Sequence, residues 1–191
     1  MANNITNYLE IIGNDEVINA MDTLFENAGG YAETNKFVNS FYGTEYDGGV
    51  PHDWLFDNVG AKWIYVENAI DAGSWNIQSA NYTPTEFWVQ LYKLAVEIDP
   101  KVEIQVKFQD ESYEPVGGFV VKKDHEGVPA WSMEEDYDIE DPTADMDWED
   151  EDYEETQMDF MDELDDVMTS LMNYAHDTVW SGEGNKIEEK K

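Results

Sequence analysis

The 191-residue chain contains no cysteine and no arginine. Without cysteine, disulfides, thiolate metal sites and thiol nucleophiles are excluded. Without arginine the chain lacks the side chain best suited to clamping phosphate bidentately, which argues against a nucleotide-handling enzyme. Positive charge is scarce altogether: ten lysines face forty-four carboxylates, for a formal net charge of −34. Charge of that sign opposes direct binding to DNA, RNA or an anionic membrane and favours basic partners. No apolar run approaches eighteen residues, and the opening Met1-Ala2-Asn3-Asn4-Ile5-Thr6-Asn7 has neither a basic n-region nor an apolar h-region. The expected location is therefore cytoplasmic.

Chemical signatures are equally sparse. His52, His125 and His176 are scattered, without the spacing of zinc ligands. Glycine motifs for phosphate cradles and the nucleophile-elbow pattern do not occur. Asp145-Met146-Asp147-Trp148-Glu149-Asp150 superficially suggests calcium but lacks the sixth-position glycine of an EF-hand loop. With so many carboxylates, some pair lies close in any fold, so no acid/base couple is inferred. The expectation is a protein with no catalytic residues, no cofactor and no specific metal site.

What is present divides into a patterned body and an acidic remainder. Ile5, Leu9 and Ile11 mark a first strand over Asn4–Ile12. Asn14 or Asp15 caps a helix that carries Val17, Ile18, Met21, Leu24, Phe25 and Ala28 at helical spacing and ends at Gly29-Gly30. Residues 31–59 read as an insertion packed by its own aromatics, with a short helix through Phe37, Val38 and Phe41 and a turn at Gly48-Gly49. Lys62–Asn68 and Ser74–Ala80 form strands joined by the Asp71-Ala72-Gly73 hairpin loop. Thr83-Pro84-Thr85-Glu86 places a capping Thr, a first-turn Pro and a Glu three residues after the cap, so a helix starts there; Asp99-Pro100 ends it. Val102, Ile104, Val106 and Phe108 alternate as a strand, and Gly117–Lys123 supplies one more. The order predicts an α+β, ferredoxin-like antiparallel sheet over residues 1–124 with helices on one face.

The opening Met1–Asn7, the run Val59-Gly60-Ala61-Lys62-Trp63 and the helix start Tyr82-Thr83-Pro84 resemble the YubB-type ferredoxin-like proteins of phages and plasmids, whose corresponding signatures are Trp-Gly-Thr-Lys-Trp and aromatic-Ser-Pro. The resemblance covers residues 1 to about 124. It implies the fold and a mobile-element origin, and it carries no activity.

Outside the resemblance lies Glu134 to Asp166, thirty-three residues with nineteen carboxylates and no Lys, Arg or His. On an ideal helix this would be roughly one charge per 2.6 Å, within a factor of two of the one per about 1.7 Å of duplex DNA. A bland reading is a solvated acidic tail, but such tails are poor in aromatics and this one is not. Residues 125–156 read as an acidic extension, 157–180 as an amphipathic acidic helix and 181–191 as a loose tail. In that helix Met161, Leu164, Met168, Leu171 and Ala175 make a stripe flanked by Phe160, Val167 and Tyr174. The stripe is open to three uses: packing on the protein's own sheet, a homodimer seam, or docking in a partner's groove.

The functional expectation is a phage- or plasmid-encoded nucleic-acid mimic that occupies the basic channel of a host restriction, CRISPR or other defence protein. Its candidate contacts are Glu134, Glu135, Asp136, Asp138, Glu140, Asp141, Asp145, Asp147, Glu149, Asp150, Glu151, Asp152, Glu154, Glu155, Asp159, Asp162, Glu163 and Asp166, with Trp131, Tyr137, Trp148 and Tyr153 as aromatic anchors. The alternative is a non-enzymatic assembly protein whose acidic segment binds a basic partner or whose final helix oligomerises.

Overall fold

A computed structural model describes residues 3–28, 34–47, 49–150 and 152–187. In β1 (Asn4–Ile12), Ile5, Asn7, Leu9 and Ile11 are buried and the residues between them are not, the alternation of a strand whose two faces differ. The Asn14 Oδ1 accepts the Val17 N–H at 3.0 Å and caps α1 (Asp15–Ala28). The expected Gly29-Gly30 stop lies outside the described residues, as does Gly48 of the expected Gly48-Gly49 turn.

The presumed insertion contains two helices, α2 (Thr34–Tyr42) and α3 (His52–Asn58). Its aromatics do not pack only on one another. Phe37 and Phe41 meet Phe87 at 5.1 and 4.6 Å, and Phe37, Val38 and Leu55 belong to the main core. The segment covers Phe87, which would otherwise face water.

A hairpin follows, β2 (Ile64–Asp71) and β3 (Ser74–Ala80), turned at Ala72-Gly73 with Gly73 at φ +79. Helix α4 (Thr85–Ile98) buries Phe87, Trp88, Leu91, Tyr92 and Ala95. Its start corrects the capping expectation. The Thr83 hydroxyl makes no cap; it donates to the buried Asn7 Oδ1 at 2.7 Å and accepts from the Trp88 indole N–H at 3.0 Å. Asn7 in turn donates to the Ile77 carbonyl and the Ser79 hydroxyl, both at 3.0 Å. A buried Asn and indole without partners cost more than an uncapped helix end open to water, so the tertiary network takes the Thr83 oxygen.

The remaining elements are β4 (Glu103–Asp110), β5 (Val116–Lys123), β6 (Pro129–Asp136), α5 (Tyr153–Trp180) and β7 (Asn185–Lys186). Together the strands form one seven-stranded sheet in the order β2-β3-β1-β4-β5-β6-β7, antiparallel at every pairing. The protein is thus a mixed α+β molecule with five helices among the described residues. Two expectations change. The sheet does not stop near residue 124, since Pro129–Asp136 pairs with β5 throughout. Nor do all helices share a face: α5 lies against β5, β6 and β4 on the side opposite α4.

Gly118 is what lets α5 lie there. It faces α5, and a Cβ at this position would overlap the backbone N and Cα of Met172. Its neighbours Gly117 and Phe119 point the other way, into the core beneath α4.

The chain after α5 is not loose through residue 187. Asn185 and Lys186 pair with Trp131 and Ala130, and the Ile187 N–H donates to the Pro129 carbonyl at 3.0 Å. The Lys186 ammonium contacts the buried Asp124 carboxylate, which also accepts the Glu126 and Val128 N–H groups at 2.9 Å. Lys186 first, and those amides after it, hold the Asp124 carboxyl down at about 2 against an ordinary 3.8. Because the folded value lies below the unfolded one, this contact stabilises fully above about pH 4 and is lost as pH falls toward 2. Urea unfolding at several pH values should therefore show Lys186→Met less stable than wild type at about pH 5, with the gap closing near pH 2. A gap independent of pH would contradict the assignment.

Candidate functional site

The acidic stretch is built on three kinds of backbone, and each treats its carboxylates differently. Its first residues belong to β6, where alternation splits them. Glu134 and Asp136, opposite Gly118 and Val116, face α5, whereas Glu135 points to the other face and accepts the Tyr137 hydroxyl at 3.1 Å. These three carboxylates therefore do not share one edge.

Next comes the turn-rich segment 137–152, where several carboxylates hold their own backbone. Asp136 accepts the Asp138 N–H at 2.9 Å, Asp141 accepts the Thr143 N–H and hydroxyl at 2.8 and 2.7 Å, and Asp150 accepts the Asp147 N–H at 3.0 Å. Thr143 is buried, and Ile139 packs with Val116, Phe160, Leu164 and Met168. Glu140, Asp145, Glu149 and Asp152 are exposed; Glu151 lies outside the described residues. Among the described residues no group of three or more His, Cys, Asp or Glu side chains is placed to hold a metal ion.

Helix α5 supplies the ordered array. It starts at Tyr153, four residues before the expected Gln157, and buries Phe160, Leu164, Met168, Ala175 and Val179. At about 100° per residue this stripe occupies one half of the circumference. Glu155, Asp159, Asp162, Glu163 and Asp166 fall on the other half and Glu154 and Asp165 on the flank beside the stripe, and all seven are exposed. Seven charges over the fourteen residues from Tyr153 to Asp166 amount to one per roughly 3 Å of helix axis, close to the 3.4 Å or so per phosphate along one strand of duplex DNA. Glu154 and Glu155 in the first turn also suit the positive end of the helix dipole.

The stripe's destination is the protein's own sheet. Phe160, Leu164 and Met168 pack on Val116, with Tyr8, Tyr113 and Leu171 around them, and the Tyr113 and Phe160 rings meet edge to face at 5.0 Å. Of the three uses open to the stripe, packing on the protein's own sheet is the one seen, and the side chains buried there are not available to a homodimer seam along 157–180. Burial, and after it the Asp165 carboxylate, raises the Tyr8 phenol above its ordinary value.

Two lysines near α5 are held away from this array. Lys122 pairs with Glu103 at 2.9 Å and lies over the Trp180 ring, and Lys186 is bound to Asp124. Lys107 to Asp165, at 2.6 Å, is the ion pair that the acidic stretch makes among the described residues. Both partners are part-exposed, so solvent screens it.

The four aromatic candidates separate. Trp131 is half-buried, stacks on Phe119 at 5.7 Å and borders a 150 Å³ pocket with Glu86, Val89 and Gln90 on the α4 face; it is a sheet residue, away from the α5 ridge. Tyr153 is half-buried at the start of α5. Tyr137 and Trp148 are 58% and 74% exposed, and Met158 on α5 is 71% exposed. A Trp three-quarters in water is unusual for a side chain that gains so much from burial.

The sequence reading missed a groove of about 340 Å³ between segment 138–142 and α5, lined by Asp138, Ile139, Glu140, Pro142, Phe160, Glu163, Leu164 and Val167. Ile139, an aliphatic residue with carboxylates all around it in sequence, was the available signal. No helix among the described residues is long and apolar enough to cross a membrane. Comparison with family models, curated proteins and solved structures finds no match to this chain.

Proposed function

We propose that this protein is a non-enzymatic, phage- or plasmid-encoded binding protein that imitates the phosphate backbone of a nucleic acid and occupies the basic channel of a host DNA- or RNA-binding defence protein. Its scaffold is ferredoxin-like. The strand order β2-β3-β1-β4, with α1 and α4 as the two crossovers, supports that reading because it is the arrangement of a split β-α-β fold. β5, β6, β7 and α5 extend the scaffold, and β6, segment 137–152 and α5 carry the acidic residues.

The observation that carries the proposal is the α5 ridge: exposed carboxylates on one half of a helix that its other half fixes to the sheet. Rigidity matters because a prearranged row of charges loses little conformational entropy on binding. The ridge attracts the Lys and Arg residues that line a nucleic-acid channel, releases their counterions and speeds encounter. Inhibition is then competitive with nucleic acid. With the α5 stripe buried on its own sheet, nothing specifically favours the oligomeric alternative.

A pull-down from host lysate tests this. At low salt the chain should retain a nucleic-acid-binding protein, and both added DNA or RNA and about 0.5 M salt should release it, since charges a Debye length apart are screened there. Retention insensitive to both would refute the mimic reading.

A further inference from the structure

The 340 Å³ groove offers two chemistries side by side. Its floor is apolar: Phe160 and Leu164 from α5, which are buried elsewhere, with Val167 and the facing Ile139 and Pro142. Its rim carries Asp138, Glu140 and Glu163, all exposed, and no lysine lines it. A purely apolar occupant would draw the three carboxylates out of water without pairing them. A bare cation would pair them and leave the floor wet. The group that meets both demands is a long aliphatic stem ending in a cation.

Between the two natural candidates, arginine fits better than lysine. Its guanidinium is planar, more weakly hydrated than an ammonium, and able to meet carboxylates bidentately. This chain has no arginine, and at −34 a second copy repels it, so the occupant comes from a different, basic protein. We propose that the groove is an anchoring socket for an arginine side chain of the partner. The proposal rests on the ridge reading above and adds to its long-range attraction a short-range contact that depends on the apolar floor.

The test uses the full chain with labelled Ile, Leu and Val methyl groups, titrated with nona-arginine and, separately, nona-lysine peptides. Nona-arginine should shift the Ile139, Leu164 and Val167 methyl signals and bind about tenfold more tightly than nona-lysine, as a buried arginine contact of about 1.4 kcal/mol allows. Ile139→Ser should abolish that preference while leaving the salt dependence of binding unchanged. Equal affinity for the two peptides with silent groove methyls would overturn the socket and leave the ridge reading standing. Failure of both peptides to bind at low salt would overturn the socket and the ridge reading together.

Discussion

Changing Glu154, Glu155, Asp159, Asp162, Glu163 and Asp166 to their amides removes the salt-dependent part of partner binding and leaves the protein folded. The six side chains are exposed, five of them on the half of α5 away from the sheet and Glu154 on its flank, so the substitutions disturb no packing. They also lower a net charge of −34, and relief of self-repulsion keeps the melting temperature the same or raises it. Binding changes far more. Six to ten phosphate contacts make protein–DNA affinity fall on the order of 10³-fold or more between 50 and 200 mM salt. With Asp165 already paired to Lys107, the six remaining α5 carboxylates engaging a cationic channel belong at the lower end of that range. The variant should therefore show a nearly flat dependence on salt and an affinity at 50 mM reduced on the order of 10³-fold. An unchanged slope of log affinity against log salt would place the binding charge elsewhere.

The second large effect is structural. Gly118→Val puts a branched side chain where the Met172 backbone already lies. Strand and helix backbones meet there, so no rotamer change relieves the overlap, and α5 must lift from the sheet. Lifting it exposes Val116, Phe160, Leu164 and Met168, each worth about 1.5–3 kcal/mol when fully buried. Their sum is comparable to the whole net stability of a domain, roughly 5–15 kcal/mol. The expected result is a loss of at least about 3 kcal/mol in denaturant unfolding, together with protease cleavage within 153–180. Gly49→Ala, which meets nothing within 4 Å, should stay within about 0.5 kcal/mol of wild type. Wild-type stability of Gly118→Val would show that α5 does not depend on that close approach. The two variants also complement each other: the first removes the ridge's charge from an intact support, and the second removes the support with the charge unchanged.

The parts of this architecture visible in the sequence are those whose signal is local. β1, α1, α4 and β4 each bury one face, and one-sided burial writes a period of 2 or 3.6 into a single stretch. The existence of α5 was visible for the same reason, although its first turn, Tyr153-Glu154-Glu155-Thr156, has too little apolar content to show. β6 was hidden because Glu134, Glu135 and Asp136 end a strand in carboxylates at the sheet's border, where either face reaches water. β7 was hidden because two residues have no periodicity. Thr83 had the local pattern of a cap and lost it to Asn7, a residue seventy-six positions away.

By itself the amino-acid order determined the character of the surface and the elements able to form: a net charge of −34 without arginine or cysteine, and apolar residues spaced for an α+β core. Only tertiary structure decided where the charge goes. Gly118 admits α5 to the face opposite α4, the α5 stripe is buried on β5, and its carboxylates are left as a row while those of β6 are split between two faces. The physical reason is reach. Periodicity records which side of an element avoids water, whereas the partner that covers that side is chosen by close approach between residues distant in the chain, and no short stretch of sequence contains that information.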